Sequence, residues 1–205
     1  MKISLEHISK RFQRYWIFKD IHYSFTGPGA YALLGANGSG KSTLLRIIAG
    51  MQPPSLGKVL YEVNGQTAAH SEIFPHISFC APGMEIVEEL TLREFLGFHF
   101  SFKRPLAGLD TEQIISLTGL TEAADKPISD YSSGMKQRVK LAQAIFSDTP
   151  ILLLDEPCTN LDQKGVEQYR DWVAAYSSDR LVIVASNDVR EYFFCKEEVE
   201  LEKYK

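Results

Sequence analysis

The sequence YSSGMKQR, residues 131–138, decides the fold because of the two stretches that stand on either side of it. Upstream lies GANGSGKS, residues 35–42, a full match to the phosphate-loop pattern G-x-x-x-x-G-K-[ST]. Downstream lies ILLLDEP, residues 151–157, whose apolar run predicts a buried strand that ends in two carboxylates. A phosphate loop alone indicates only a nucleotide, whereas the order of the three stretches is far more specific.

The phosphate loop has the residues and the context that a triphosphate requires. Its glycines let the backbone turn so that successive N–H groups point at an anion, and Lys41 adds a positive charge for the β and γ phosphates. The Ser42 hydroxyl can bind Mg²⁺, and the helix predicted over residues 41–49 directs its N-terminus at the same negative charge. We therefore predict that the nucleotide phosphates contact Gly35, Ala36, Asn37, Gly38, Ser39, Gly40, Lys41, Ser42 and Thr43.

Strand and helix signals alternate along the chain. Apolar or alternating runs predict strands at residues 2–8, 31–34, 58–63, 77–81, 151–154 and 180–185, with a turn at Asn64-Gly65. Residues 165–176 have a helical pattern, and residues 91–146 are largely helical, beginning with a capping box formed by Thr91 and Glu94. The alternation predicts an α/β fold with a largely parallel sheet covered on both faces and an inserted helical lobe.

The three stretches, in this order, resemble the ATP-binding-cassette (ABC) ATPases. Residues 131–135 correspond to the family's consensus Leu-Ser-Gly-Gly-Gln, and they keep its serine as Ser132 and its second glycine as Gly134. The resemblance covers residues 3 to about 192 and implies a phosphate-loop NTPase (RecA-like) core with a mainly parallel sheet, an N-terminal antiparallel β-subdomain and an inserted α-helical subdomain. It makes the chain, residues 1–205, a single ABC ATPase domain whose helical lobe covers about 85–147.

The resemblance also implies catalytic roles. Asp155, with Ser42, holds Mg²⁺, and Glu156 is the catalytic base that polarises the attacking water. Two positions depart from the family: Pro82 stands where a glutamine usually senses Mg²⁺ and water, and Asn187 stands where a histidine usually contacts the γ-phosphate. Asn187 keeps a neutral donor but carries no charge. Because one positioned donor is typically worth about 10²–10³ in rate, we predict slow rather than absent hydrolysis.

Further implied contacts to ATP come from outside the phosphate loop. In the family, the serine and glycine matched by Ser132 and Gly134 serve the ATP bound on the loop of the partner chain. The resemblance therefore implies a head-to-tail dimer, with a second copy or with a related cassette, that holds two ATP molecules. An aromatic residue upstream of the loop stacks on the adenine, and the spacing places it at Phe12, although Tyr15 and Trp16 are close enough to compete.

Composition restricts the classes of function. The net charge of −4, with no long block of either sign, gives no electrostatic footprint for nucleic acid, where a clustered basic face would be expected. No apolar run approaches the roughly 20 residues that cross a bilayer, so we expect a cytoplasmic protein that is peripheral on the inner face of the cell membrane through transmembrane partners. The three widely spaced cysteines predict buried thiols rather than disulfides or a zinc site, and we expect the five histidines at the surface or at strand edges.

Three functions remain open. The first is the ATP-binding subunit of a transporter with separate transmembrane subunits, and the short chain without a C-terminal regulatory extension looks more like exporter-type subunits for haem or drugs. In the family a groove between core and lobe receives a helix of that partner, which here lies near residues 82–100, including Ile86, Leu90, Phe95 and Phe98. The alternatives are a nucleotide-driven switch with little hydrolysis and a soluble ABC ATPase outside transport.

Overall fold

The computed structural model describes residues 1–63 and 65–205, so Asn64 of the expected turn lies outside the described residues. The strands are β1 (Lys2–Phe12), β2 (Tyr15–Thr26), β3 (Gly29–Leu34), β4 (Leu56–Val63), β5 (Gln66–Ala68), β6 (Ile77–Cys80), β7 (Ile151–Asp155), β8 (Leu181–Ala185) and β9 (Glu197–Glu200). The helices are α1 (Lys41–Ile48), α2 (Leu92–Phe102), α3 (Thr111–Thr118), α4 (Ser133–Ile145), α5 (Gln163–Tyr176) and α6 (Val189–Tyr192).

The strands form two sheets of different type. A five-stranded sheet has the order β6-β7-β8-β3-β9, and every neighbouring pair in it is parallel. A four-stranded sheet has the order β2-β1-β4-β5, and its pairs are antiparallel. The structure thus confirms the predicted fold class, with a mainly parallel core sheet and an antiparallel β-subdomain built largely from the N-terminal strands.

Both faces of the parallel sheet are covered, which explains why its central strands are apolar throughout. Leu153 of β7 and Ile183 of β8 pack in a core shared with α1 and the antiparallel sheet. Their neighbours Leu152, Leu154 and Val184 pack in a second core with α4 and α5. A strand buried on both sides has no polar face, so β7 and β8 show a continuous apolar run instead of alternation.

The helical region lies between β6 and β7 in the chain. Its first helix, α2, has the predicted capping box: Thr91 Oγ1 accepts from the Glu94 amide at 3.2 Å, and Glu94 Oε2 accepts from the Thr91 amide at 2.9 Å. Helices α2, α3 and α4 fall within the lobe that the sequence places at about 85–147, and its bounds as a separate unit remain a prediction. Among the residues that the structure describes, no helix is long and apolar enough to cross a bilayer.

Two expectations about single side chains are wrong. Cys195 is only half-buried, whereas Cys80 and Cys158 are buried as expected. His99 lies at neither the open surface nor a strand edge, because it projects from α2 into partly buried surroundings. Its Nε2 lies 2.9 Å from Ser147 Oγ, and that hydroxyl donates in turn to the Gln143 carbonyl. His99 therefore belongs to the packing between α2 and the end of α4.

The partly buried His99 makes the fold sensitive to acid. Burial, together with the nearby charge of Lys103, lowers the pKa of His99 from its ordinary 6.5 to about 4. Between these values the unfolded chain binds a proton that the folded chain does not. The free energy of unfolding therefore falls as the pH falls through this window, by up to about 1.4 kcal/mol per pH unit.

We expect the urea midpoint of the wild type to drop between pH 6.5 and pH 4.5 by more than that of His99→Gln. Glutamine can still donate to Ser147, but it does not titrate. Carboxylates elsewhere in the chain contribute to both proteins equally, so their effect cancels in the comparison. The same pH dependence in the two proteins would contradict this assignment.

Candidate nucleotide-binding site

The carboxyl ends of three neighbouring strands bring the predicted site together. Strands β7, β8 and β3 are adjacent and parallel, so the segments that follow them leave the same edge of the sheet. The phosphate loop follows β3, Asp155 and Glu156 stand at the end of β7, and Asn187 follows β8. Segments that are more than 100 residues apart in the sequence thus meet at one edge.

The phosphate loop has a backbone that only glycine fits at its last turn. Gly40 has φ +102° and precedes the first residue of α1. A Cβ at this position would lie 2.5 Å from Ile17 Cγ2 and 2.9 Å from Phe18 Cδ1, both in β2. No side chain caps the start of α1, so its first N–H groups lack a side-chain partner and favour an anion.

Lys41 and Ser39 have polar groups directed into this loop. Lys41 is buried, and its Nζ donates to the Gly35 carbonyl at 2.6 Å, so the charge is held inside the turn of the loop. The buried Ser39 Oγ has no hydrogen-bond partner among the described residues. A cavity of about 270 Å³ opens over the loop and is lined by Ile17, Asn37, Gly38, Gly40, Lys41, Ser42, Thr43 and Glu156.

The residues predicted to hold Mg²⁺ are in contact. The Ser42 hydroxyl donates to Asp155 Oδ1 at 2.9 Å, which links the start of α1 to the end of β7. Burial raises the pKa of Asp155, with a further contribution from the Glu156 carboxylate, while the bond from Ser42 opposes the rise. No group of three or more His, Cys, Asp or Glu side chains is placed for a metal among the described residues. Two oxygen ligands nevertheless suit Mg²⁺, which usually takes one or two carboxylates and completes its shell with water and phosphate oxygens.

Glu156 and Asn187 lie beside the loop. Glu156 is exposed and has φ +42°, a left-handed conformation that is uncommon outside glycine, and its amide donates to the Ala185 carbonyl at 2.9 Å. Asn187 Oδ1 accepts from the Gly35 amide at 3.4 Å. Both residues line a second cavity, of about 340 Å³, together with Asn37. The structure thus places both predicted catalytic side chains next to the phosphate loop.

The three predicted ligands of ATP that lie outside the phosphate loop line neither cavity. Phe12 stands at the end of β1 with 48% of its surface exposed, and its ring lies 5.3 Å from Lys10 Nζ. Ser132 is exposed at the N-cap of α4, where its Oγ accepts from the Met135 amide at 3.3 Å, and Gly134 follows in the first turn. Their contacts to a nucleotide therefore remain predictions.

Several residues at the site have no signal in the sequence. Ile17 lines the loop cavity from β2, and Glu202 Oε1 accepts from the Ala36 amide at 3.1 Å. The buried Glu191 contacts the segment that follows Glu156. Ile17 approaches the loop at Gly40, and Glu202 follows β9, which pairs with β3. Such contacts join distant segments, and no local pattern encodes them.

Comparison with known proteins gives a consistent family. A family model described as ABC transporter matches residues 18–159. The sulfate/thiosulfate import ATP-binding protein CysA of Synechocystis sp. is 37% identical over 177 residues, which are 84% of this chain and 49% of that protein. The cytochrome c biogenesis ATP-binding export protein CcmA of Chelativorans sp. is 31% identical over 191 residues, 91% of each chain. This chain spans about half the length of the CysA relatives it matches.

A solved structure shares the fold. The dimeric structure of a post-hydrolysis state of an ATP-binding cassette, bound to ADP and Pi, superimposes with a TM-score of 0.81 at 20% sequence identity. The match covers 97% of this chain and 93% of the other. The family match extends over more than half of the sequence and includes the phosphate loop, Asp155 and Glu156. This chain therefore belongs to the ABC transporter family, as one of its ATP-binding domains.

Proposed function

We propose that this chain is the ATP-hydrolysing subunit of an ABC transporter, acting as a head-to-tail dimer on separate transmembrane subunits at the inner face of the membrane. One observation carries the proposal. The hydroxyl that ends the phosphate loop, Ser42, lies 2.9 Å from the Asp155 carboxylate, and Glu156 lines the cavity over the same loop. This is the arrangement that phosphoryl transfer to water needs: a phosphate cradle, oxygen ligands for a metal, and a base beside them.

Each residue of the site has a definite task in this proposal. The loop amides and Lys41 bind the phosphates, and Ser42 and Asp155 hold Mg²⁺, which neutralises charge on the β and γ phosphates when it is bound. Glu156 orients and polarises the attacking water. Ser132 and Gly134 of a second copy supply a hydroxyl and a free backbone N–H to the γ-phosphate, because an exposed helix start carries both. Phe12, or Tyr15 or Trp16, stacks on the adenine.

The position of Ser132, at the start of α4, supports the proposed dimer. The loop, the metal ligands and Glu156 are assembled within one chain, whereas Ser132 is exposed at a separate helix start and does not line the loop cavity. A second chain facing the loop would complete the site from outside. A second copy is the simplest occupant, and a related cassette would serve the same purpose.

An apolar groove beside the helical lobe supports the proposal that this chain contacts a transmembrane partner. It encloses about 570 Å³ and is lined mainly by apolar side chains: Met51, Phe74, Phe79, Met84, Val87, Phe95, Phe98 and Phe102. Five of these, Met51, Phe74, Val87, Phe98 and Phe102, are exposed large apolar residues. Contiguous exposed apolar surface of this kind marks interaction sites. Of the four residues expected in the groove, Phe95 and Phe98 line it, whereas Ile86 and Leu90 pack against the adjoining core.

A nucleotide-driven switch is the second candidate, and Asn187 and Pro82 favour it. Asn187 accepts from the Gly35 amide, and the resemblance implies a histidine at this position of the family. Pro82 follows β6 and offers only its carbonyl, which accepts from Lys140 Nζ at 2.8 Å. A site with weakened water activation would hold ATP longer, so a partner would be clamped rather than driven through rapid cycles.

The proposal predicts that Asn187→His speeds ATP hydrolysis. An imidazole at this position restores a group that can carry charge near the γ-phosphate, and we expect kcat to rise about 10-fold or more. Hydrolysis by purified protein is the measurement, with Asn187→Ala as the comparison that removes the donor. Adding Glu156→Gln to the wild type or to Asn187→His should abolish ATP turnover, which shows the background rate of the assay. Equal rates for wild type and Asn187→His would contradict the prediction of slow hydrolysis.

If the groove binds a transmembrane partner, substitutions of its exposed aromatic residues should weaken that binding. Phe98→Gln combined with Phe102→Gln removes two exposed aromatic side chains on α2, and truncation of a hot-spot residue typically costs about 2 kcal/mol or more of binding free energy. We expect at least about 10-fold less co-purification of a protein with several membrane spans, extracted from native membranes in mild detergent and identified by mass spectrometry.

Leu56→Gln is the matched control for this experiment. Leu56 lies in β4, outside the groove, and 59% of its surface is exposed. Its substitution should leave co-purification unchanged. Recovery of the same membrane protein with the double groove variant as with Leu56→Gln would exclude this groove as the docking surface.

A further inference from the structure

A single peptide group next to Glu156 is held at both ends by buried side chains. It joins Pro157 to Cys158. Its carbonyl oxygen, on Pro157, accepts from Gln137 Nε2 at 2.7 Å, and its amide, on Cys158, donates to Glu191 Oε1 at 2.6 Å. Gln137 is 2% exposed and Glu191 is 4% exposed, so both bonds form away from water. A polar peptide group in these surroundings cannot turn without losing two buried bonds.

The two side chains come from α4 and α6, and each helix begins close to a residue that we predict contacts the γ-phosphate. Gln137 lies in the second turn of α4, the helix that begins after Ser132 and contains Gly134 in its first turn. Glu191 lies in α6, four residues after Asn187. The peptide group between them starts at the residue that follows Glu156. The helix that begins after Ser132, the residues that follow Glu156 and the helix that follows Asn187 are therefore joined through one peptide.

The cost of burying the Glu191 carboxylate indicates that its role is to hold the Pro157–Cys158 peptide group in place. Burial raises the pKa of Glu191, and hydrogen bonds from Ser186 and from the Cys158 amide oppose the rise. A buried carboxylate adds little to the free energy of unfolding, because the cost of removing its charge from water offsets the favourable energy of its hydrogen bonds. The bond from the Cys158 amide instead ties α6, which follows Asn187, to the segment after Glu156.

The backbone of Glu156 needs such support. Its φ of +42° is strained for a residue with a side chain, and strained conformations persist where the surrounding structure holds them on both sides. On the side before it, the Glu156 amide is bonded to the Ala185 carbonyl of β8. On the side after it, the bonded peptide of Pro157 and Cys158 restricts the chain. The backbone that carries the Glu156 side chain at the loop cavity is thereby held on both sides.

We infer that Gln137 and Glu191 are positioning residues that hold the Pro157–Cys158 peptide and, through it, the Glu156 carboxylate in the place required for hydrolysis. The inference rests on the proposed function, since it gives Glu156 the role of base. It adds a route between the two sites of the dimer. In the proposed dimer, the nucleotide on the partner's loop contacts Ser132 of this chain. A shift of α4 caused by that contact would be transmitted through Gln137 to the backbone of Glu156.

The first test is steady-state ATP hydrolysis by purified variants. Gln137→Met removes the donor at similar volume, and Glu191→Leu removes the acceptor. Because a misplacement of about 1 Å can cost about 100-fold, we expect kcat to fall about 10- to 100-fold in both, with KM for ATP within about 3-fold of the wild type. Glu191→Gln keeps an acceptor for the Cys158 amide and should retain most of the activity.

Gln168→Met is the matched control. Gln168 Nε2 donates to the Leu117 carbonyl at 2.7 Å, which is the same kind of bond at the same length as that of Gln137, but it ties α5 to the end of α3. It should leave kcat unchanged. A loss of kcat in Gln168→Met as large as that in Gln137→Met would show a general packing effect and overturn the inference.

Hydrogen exchange separates this inference from the proposed function. We expect Glu191→Leu to expose the Cys158 amide to exchange, while amides of β3 and β8 keep their protection, and this readout needs no activity. If the wild type hydrolysed no ATP, the proposed function would fail, and the exchange result would still decide whether the peptide is held. If the wild type hydrolysed ATP and both Gln137→Met and Glu191→Leu kept its kcat, the inference alone would fail.

Discussion

The edge at which β7, β8 and β3 end is the constraint on which the rest of the molecule depends. These strands are buried on both faces, so charge is tolerated only where they end. Asp155 stands at that edge, and its carboxylate is bonded to Ser42 at the start of α1. The bond links two segments that are 113 residues apart, and it sets the distance between the phosphate loop and the end of β7. The antiparallel sheet, through Ile17 and Phe18, then closes tightly over Gly40.

Local patterns in the sequence predict most of this architecture. The apolar run of residues 151–154, the phosphate-loop pattern and the capping box at Thr91 each encode a geometry that does not depend on distant residues, and the structure has all three. A local pattern does not encode which distant side chain forms a hydrogen bond with the structure that it predicts. The bond from Ala36 to Glu202 joins residues 166 apart, and Glu191 reaches Cys158 across 33, so neither could be predicted. His99 likewise takes its burial from the end of α4 rather than from its own helix.

The contacts to ATP stay predictions for every residue of the site, and three of the predicted residues also lie away from the loop cavity. Ser132 and Gly134 begin α4 away from the loop cavity, and Phe12 remains half-exposed at the end of β1. A nucleotide and a facing chain would bring these residues to a phosphate or a base. The proposed function would give this division a chemical consequence: the loop of an isolated chain would bind ATP, but the γ-phosphate would lack part of its ligand set without a second chain. Hydrolysis would then depend on assembly of the dimer.

The most direct test of this account is to mix two inactive variants. Lys41→Ala removes the loop cation, and Gly134→Asp disrupts the start of α4, where a Cβ would lie 2.9 Å from the Asn160 carbonyl oxygen. Each variant alone should lack ATP hydrolysis. In a head-to-tail pair of the two, one site combines an intact loop with an intact helix start, so mixing should restore hydrolysis. Failure of the mixture to hydrolyse ATP, when the wild type does, would contradict a site shared between two copies of this chain.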